Sequence, residues 1–250
     1  MKITVSKDAV YSGNLILVNR EFPIRGEGMD DLAAVSPRFP EIKLKSEAQI
    51  ALQTVLSKIR SGDQIVPVSG YRPREEQVEI YESSLRENGL EFTKQFVALP
   101  DHSEHQTGLA IDLALHQEHI DFIRPEFPDE GICGRFRKLA PRYGFAERYP
   151  KGKESITGIA WEPWHFRYMG YPHSEILTST NLTLEEYIAC IKHFPGYDRC
   201  LPWGKGYEIF YTPVVGEETV IELPEDCRYE VSGNNEDGFI VTVRRKYHGD

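Results

Sequence analysis

The sequence predicts an α+β fold in which a small antiparallel sheet is flanked by helices. Along residues 1–194, segments with apolar residues at helical spacing alternate with short apolar runs bounded by turn residues. From residue 195 onward, three strand-like segments follow one another without a helical pattern. We therefore expect a main domain over 1–194 and a β-rich C-terminal extension over 195–250. The extension is expected to cover one edge of the sheet or to mediate self-association into a homo-oligomer.

Length, composition and charge narrow the class of protein. The 250 residues are 40% hydrophobic and 27% charged, which suits a soluble chain with a core. A formal net charge of -10 argues against a nucleic-acid or anionic-membrane partner and favours a small-molecule substrate. The apolar run 15–18 is too short for a signal peptide, and no run approaches the ~18 residues of a membrane span. These features predict a cytoplasmic protein without a membrane span.

The cysteines show no metal-binding or redox pattern. No two of them form a C-x-x-C pair; they are Cys133, Cys190, Cys200 and Cys227. A disulfide between Cys190 and Cys200 is one alternative, but reduced thiols fit the cytoplasmic prediction better.

Residues 1 to about 45 are expected to be irregular, apart from one short strand at 14–19. A helix then starts at Ser46 and ends at 61–63, because apolar residues recur at helical spacing in between. Residues 65–72 are typical of a strand, which Pro67 restricts to a sheet edge or a bulge. Pro73 starts a second helix that ends by Gly89.

In the second half, residues 109–112 are expected to form a buried strand. The remaining predicted elements are a helix at 134–143, a surface loop and candidate lid at 146–158, a strand at 161–168, a helix at 184–193, and strands at 207–211, 219–223 and 238–243.

Two short clusters carry the residues suited to catalysis. His105 and Asp112, types that bind metals, flank a glycine and a short apolar run. About fifty residues later, Glu162 and His165 follow in an E-x-x-H spacing, with a bend expected at Pro163. Two histidines and an aspartate would leave a zinc ion an open position for water, with the glutamate as a base. Spacing alone leaves open whether these residues are ligands or ordinary core and turn residues.

Three motifs in this order resemble those of the zinc D-alanyl-D-alanine peptidases. They are S-G-[YF]-R-x-x-x-x-Q (Ser69, Gly70, Tyr71, Arg72 and Gln77), S-x-H-x-x-G-x-A-x-D (Ser103, His105, Gly108, Ala110 and Asp112) and E-x-W-H (Glu162, Trp164 and His165). The resemblance covers about residues 60–170. This family includes VanY-type D,D-carboxypeptidases, VanX-type D,D-dipeptidases and the bifunctional VanXY type of vancomycin-resistant bacteria, which the chain resembles most.

The resemblance implies a role for each matching residue. His105, Asp112 and His165 would bind Zn²⁺, and Glu162 would be the general base. Arg72 would stabilise the oxyanion, and Ser103 and Gln77 would hold the substrate near its terminal carboxylate. Without the resemblance, Arg72 is better explained by a surface ion pair with Glu75 or Glu76, and Ser103 is equally well explained as a turn or cap residue. The other histidines match no motif and are expected on the surface: His102, His116, His119, His173, His193 and His248.

The implied substrate is the dipeptide D-Ala-D-Ala or a peptidoglycan precursor that ends in it. Two alternatives remain open. One is a zinc-stabilised binding module on the same scaffold that acts through partners, although the intact Glu162 and Arg72 argue against it. The other is an endopeptidase of the same fold that cuts L-Ala-D-Glu bonds in peptidoglycan, although such enzymes usually work outside the cell.

Overall fold

The computed structural model describes residues 1–25, 31–204 and 206–245. Its contacts divide the chain into two compact units. One unit comprises residues 18–183, and the other comprises residues 1–17 together with 184–250. The functional division at residue 194, proposed from the sequence, stays a prediction. Among the described residues, no helix has both the length and the apolar character that crossing a membrane requires.

Helices combine with small antiparallel sheets, which confirms the α+β fold class. The strands are β1 Lys2–Ser6, β2 Leu32–Ser36, β3 Phe39–Lys45, β4 Ile65–Ser69, β5 Ala110–Leu115, β6 Phe145–Glu147, β7 His165–Tyr168, β8 Leu201–Trp203, β9 Tyr207–Pro213, β10 Glu218–Glu222, β11 Cys227–Gly233 and β12 Gly238–Arg245. The α-helices are α1 Ser46–Ile59, α2 Arg74–Phe96, α3 Gly131–Leu139, α4 Glu154–Thr157, α5 His173–Thr180 and α6 Leu184–Ile191. Short 3₁₀ helices cover Lys7–Tyr11, Glu104–Thr107, Ala140–Tyr143 and Tyr197–Arg199.

A four-stranded antiparallel sheet forms the centre of the 18–183 unit, in the order β4-β5-β7-β6. Strand β5 lies between two partners and is buried along nearly its whole length, as its apolar run predicts. Strand β4 is an edge strand whose register shifts between Pro67 and Ser69. The edge position and bulge predicted from Pro67 are therefore confirmed, because proline cannot donate a ladder hydrogen bond.

The core of this unit lies where helices α1 and α3 meet the sheet. Leu52 and Val55 of α1 contribute to a cluster with Phe136 of α3 and Phe166 of β7, all nearly inaccessible to solvent. Helix α1 starts at Ser46 as predicted and ends at Ile59, just before the predicted end, and its apolar residues at helical spacing supply the buried face. Helix α2 is interrupted at Gly89, where the predicted end falls, but it resumes and continues to Phe96.

The other unit is rich in strands. Strands β1 and β10 pair, and β11, β12, β9 and β8 form a second antiparallel sheet. A turn near 232–238 connects β11 to β12, and the side chain of Asn234 accepts hydrogen bonds from three backbone N–H groups within it. The helix predicted at 184–193 is confirmed as α6.

Some of the sequence predictions were wrong. Residues 1–45 are not mainly irregular, because β1, β2 and β3 lie there, whereas 14–19 is not a strand. The predicted strand at 161–168 begins only at His165. The candidate lid at 146–158 is only partly a surface loop, because its first residues belong to β6 and Arg148 is 1% exposed. All four cysteines are free thiols, as expected.

One of the histidines outside the motifs is buried, although all of them were expected on the surface. His116, His119 and His193 are exposed and His102 is half-buried. His173 is 3% exposed, so its assignment to the surface was wrong. His248 lies outside the described residues.

Candidate metal centre and active site

The register of two central strands brings two of the predicted ligands together. Asp112 on β5 and His165 on β7 are directly opposed, and Asp112 Oδ1 lies 2.9 Å from His165 Nδ1. The third predicted ligand, His105, lies on the 3₁₀ helix before β5, and its Nε2 is 3.1 Å from Asp112 Oδ2. One ligand atom from each residue lies within 4.8 Å of the others, and all three residues are buried. This arrangement can hold a single metal ion.

The hydrogen bonds around the histidines fit a bound cation. His105 Nδ1 lies 2.7 Å from the carbonyl oxygen of Gly70, which only accepts, so Nδ1 carries the proton. In the neutral imidazole, Nε2 then presents a lone pair to the Asp112 carboxylate. Two acceptors face each other at this point, which is favourable when a cation lies between them. A donor set of two imidazoles and one carboxylate is typical of catalytic zinc sites.

A buried carboxylate that sequence reasoning missed lies behind His165. Glu104 is 1% exposed, and its Oε1 accepts 2.8 Å hydrogen bonds from Arg148 Nε and Arg167 Nη1. Its Oε2 lies 3.6 Å from His165 Nε2. A carboxylate at this position favours a proton on Nε2, which leaves Nδ1 of His165 free to face Asp112 and a metal.

The charges of the centre follow from these contacts. Burial alone would raise the pKa of Glu104, but Arg167 and Arg148 outweigh it and hold that pKa well below its usual range. Burial would likewise raise the pKa of Asp112, but the two ligand histidines keep it low. Burial lowers the pKa of His105. For His165, the hydrogen bond to Asp112 and the negative charges of the nearby Glu104 and Glu162 outweigh burial and raise the pKa to about 9. The carboxylates of Asp112 and Glu104 therefore favour a positive charge on or beside the imidazole of His165.

Glu162 lies beside the three candidate ligands on the irregular segment before β7. Its Oε2 is 3.8 Å from His165 Nδ1, and the N–H of His165 donates to the Glu162 carbonyl oxygen in a turn through Pro163. The bend predicted at Pro163 is thus present. Burial, with Asp112 and Glu104 nearby, raises the pKa of Glu162 to about 8 despite the opposing effects of His165 and Arg72. A divalent cation bound by the neighbouring residues would oppose this shift and favour the ionised carboxylate, which can accept a proton.

Arg72 lies inside the site. Its Nη1 donates to Gln77 Oε1 at 2.8 Å, and its Nη2 donates to Ser69 Oγ at 2.9 Å. Gln77 is fully buried and also donates to the carbonyl oxygen of Ala98. The side chain of Gln77 therefore orients Arg72, which the structure favours over a surface ion pair with Glu75 or Glu76.

All seven predicted site residues line one cavity of about 290 Å³: Arg72, Gln77, Ser103, His105, Asp112, Glu162 and His165. Ser103 makes no side-chain capping bond to the 3₁₀ helix that it precedes, so its hydroxyl is available to the cavity. Apolar side chains that the sequence analysis did not single out form another part of the wall: Ile80, Phe96, Phe122, Ile123 and Ile159. Such mixed walls are typical of small-ligand sites.

A buried His-His-Asp cluster with a glutamate beside it and an arginine on the cavity wall is typical of zinc metallopeptidases. The profile of the D-alanyl-D-alanine carboxypeptidase (VanY) family matches residues 41–171 of the chain. The chain belongs to this family. The resemblance found in the motifs is thereby confirmed.

Similar proteins of known name support the assignment to this family. The chain is 55% identical over 121 residues to the bifunctional D-Ala-D-Ala dipeptidase and carboxypeptidase VanXYC of Enterococcus gallinarum; this match covers 48% of the chain and 64% of the relative, less than two thirds of it. The crystal structure of the vancomycin-resistance D,D-dipeptidase VanXYg, in complex with a D-Ala-D-Ala phosphinate analog, superposes with a TM-score of 0.95 at 50% identity, covering 98% of this chain and 99% of VanXYg.

A further structural neighbour holds a metal. A mutant of the vancomycin-resistance D,D-pentapeptidase VanY, from the VanB-type cassette and in complex with Zn(II), superposes with a TM-score of 0.60 at 31% identity. The match covers 70% of this chain and 98% of that one.

Proposed function

We propose that the protein is a zinc-dependent D,D-peptidase that hydrolyses D-Ala-D-Ala and removes the terminal D-Ala from peptidoglycan precursors, which lowers the number of vancomycin targets. The convergence of three ligand atoms within 4.8 Å, with Glu162 beside them, carries this proposal. The named activities of VanXYC and VanXYg support the substrate, and the Zn(II) in the VanY neighbour supports the metal.

His105 Nε2, Asp112 and His165 Nδ1 would hold the zinc ion. The bound ion would supply a Lewis acid and lower the pKa of a coordinated water to about 7. Glu104 would keep His165 in the tautomer that binding requires, with its own position fixed by Arg148 and Arg167.

Glu162 would act as the general base and then as the general acid. It accepts a proton from the attacking water and returns that proton to the leaving amine nitrogen of the C-terminal D-amino acid. Its burial and the 3.8 Å distance from its Oε2 to His165 Nδ1 support this role.

Arg72 would stabilise the negative oxygen that develops on the substrate carbonyl. Its guanidinium is fixed by Gln77 and Ser69, so little reorganisation is needed during the reaction. Asp112 and Glu162 balance the formal charge of a divalent ion, and Arg72 then leaves the site at +1. A substrate with a free terminal carboxylate, held near Ser103 and Gln77, would restore neutrality.

The alternatives receive less support. A binding module has no need of a buried base beside the ligands or of an arginine fixed on the cavity wall. An L-Ala-D-Glu endopeptidase agrees less well with relatives whose names specify D-Ala-D-Ala. The cytoplasmic location and the homo-oligomer remain predictions.

A side-by-side release assay tests the proposal. Free D-Ala-D-Ala, free D-Ala-D-Ser and an acyl-D-Ala-D-Ala precursor would each be incubated with the zinc-loaded protein, with and without a chelator. We expect release of D-Ala from the first and third substrates, abolished by the chelator and restored by zinc. Absence of hydrolysis with zinc bound would refute the peptidase function and favour the binding module. Release from an L-Ala-D-Glu peptide alone would favour the endopeptidase.

A further inference from the structure

The backbone that carries Glu162 belongs to no helix or strand. It lies between α4 and β7, where the Glu162 N–H donates to the carbonyl oxygen of Tyr149 at 3.2 Å. The Glu162 carbonyl oxygen in turn accepts from the His165 N–H at 3.2 Å. Both of these bonds involve only the backbone of Glu162 and lie at the upper end of the ordinary distance range. Further contacts must therefore fix this segment if the Glu162 side chain is to act as a base.

Arg137, on helix α3, holds the segment on the C-terminal side of Glu162. Its Nη2 donates to the carbonyl oxygen of Pro163 at 2.5 Å and to that of Phe127 at 2.7 Å. The guanidinium packs against the rings of Phe127 and Phe166, with centroids 5.1 and 5.3 Å away, and the side chain is only 14% exposed. The packing and the carbonyl contacts together fix the plane of the guanidinium.

Glu147, at the end of β6, links Arg137 to the N-terminal side of the segment. Its Oε2 accepts from Arg137 Nη1 at 2.5 Å, and its Oε1 accepts from Trp161 Nε1 at 3.1 Å. The residues immediately before and after Glu162 are therefore attached to one ion pair. Neither Arg137 nor Glu147 is among the described residues that line the substrate cavity.

We propose that Arg137 and Glu147 are positioning residues that clamp residues 161 and 163 and thereby aim the Glu162 carboxylate at the reacting atoms. The kinetic consequence rests on the proposed function. The mechanical consequence, a segment that loosens when the clamp is broken, does not. If the ion pair only stabilised the fold, breaking it would lower the melting temperature but would leave the segment and the turnover of the folded protein unchanged.

The variants for the test are Arg137→Lys, which keeps charge and length but loses the planar fork, and Trp161→Phe, which removes one donor from a partly exposed ring. Arg135→Lys is the matched control, because Arg135 is exposed on the same helix. Each variant would be studied as the zinc-loaded full chain, with its zinc content and melting temperature measured.

Hydrogen exchange gives the first readout. We expect the amides of Glu162 and His165 to exchange at least ~10-fold faster in Arg137→Lys than in the wild type. The acceleration should be smaller in Trp161→Phe, and Arg135→Lys should exchange at the wild-type rate. Unchanged exchange in both clamp variants would overturn the proposal, whether or not the protein proves to be a peptidase.

Steady-state hydrolysis of acyl-D-Ala-D-Ala gives the second readout. A displacement of about 1 Å at a reacting group costs on the order of 100-fold in rate. We expect kcat to fall ~10- to 100-fold in Arg137→Lys, with KM and zinc content close to wild type, since substrate and metal contacts are intact. A fall in melting temperature with unchanged kcat would overturn the proposal. Absence of activity in the wild type would refute the proposed function and leave the exchange result to decide the clamp.

Discussion

Asp112 and His165 lie directly opposite each other on β5 and β7, and the register of these strands brings two residues of the candidate metal centre together. Asp112 Oδ1 is 2.9 Å from His165 Nδ1 because the two residues form one antiparallel pair. A slip of one residue between the strands would turn the two side chains to opposite faces of the sheet. The buried apolar residues of β5 prevent that slip, so core packing and ligand geometry are set by the same pairing.

Replacing the buried carboxylate behind His165 should weaken zinc binding. Glu104→Gln removes the negative charge that favours a proton on His165 Nε2. The substitution also weakens the interactions of this side chain with the buried Arg148 and Arg167. We expect zinc affinity to fall ~10- to 100-fold, as measured by competition with a coloured chelator. The variant should also be less stable, because buried ion pairs are costly to break.

The control for this prediction is Glu79→Gln on the exposed face of α2, which should bind zinc like the wild type. The comparison is restricted to folded protein, verified by circular dichroism. Wild-type zinc affinity in folded Glu104→Gln would show that Glu104 has no influence on the ligand.

Arg72 should be intolerant of even a conservative change. Lysine keeps the charge but cannot reproduce the two hydrogen bonds of the guanidinium to Gln77 and Ser69. We expect Arg72→Lys to lower kcat/KM by about 100- to 1,000-fold, the usual cost of an oxyanion donor. Arg74→Lys, at an exposed position two residues later, should retain activity. Equal activity of the two variants would exclude an oxyanion role for Arg72.

The buried His173 should make the folded state sensitive to acid. Burial lowers its pKa to about 3, from an ordinary value of 6.5. Between these values the unfolded chain binds one more proton than the folded chain, so the free energy of unfolding falls as the pH falls. From pH 7.5 to 5 this contribution amounts to about 2 kcal/mol.

Urea unfolding at the two pH values measures this effect. His173→Gln should show a smaller loss of stability on acidification than the wild type does, whereas His193→Gln, at an exposed position, should behave like the wild type. If wild type and His173→Gln lost the same free energy between pH 7.5 and 5, the histidine would not be the sensitive group.

The sequence was sufficient to predict the residues gathered in the cavity and several elements of the sheet. Local chemistry explains this success. Pro67 cannot donate in the middle of a sheet, and the run before Asp112 is too apolar for a surface strand. The family motifs are short and contain the candidate site residues themselves, so their spacing can be recognised without knowledge of the fold.

What the sequence could not predict depends on contacts between distant residues. Glu104, Arg148 and Arg167 are separated by up to 63 positions and look like surface charges, yet each is almost fully buried in one cluster. Strand β3 escaped prediction because a proline and charged residues interrupt its apolar residues, and β2 because it is short and contains two alanines, which are depleted in strands. Arg137 and Glu147 gave no signal, since their role arises only when α3, β6 and the Glu162 segment pack together.

The central claim is that His105, Asp112 and His165 hold one zinc ion while Glu162 remains free to transfer protons. Glu162→Gln tests it most directly, with zinc content and hydrolysis of acyl-D-Ala-D-Ala measured on the same sample. We predict one zinc ion per chain, as in the wild type, and a loss of kcat of at least ~100-fold. Wild-type turnover with zinc bound would contradict the claim.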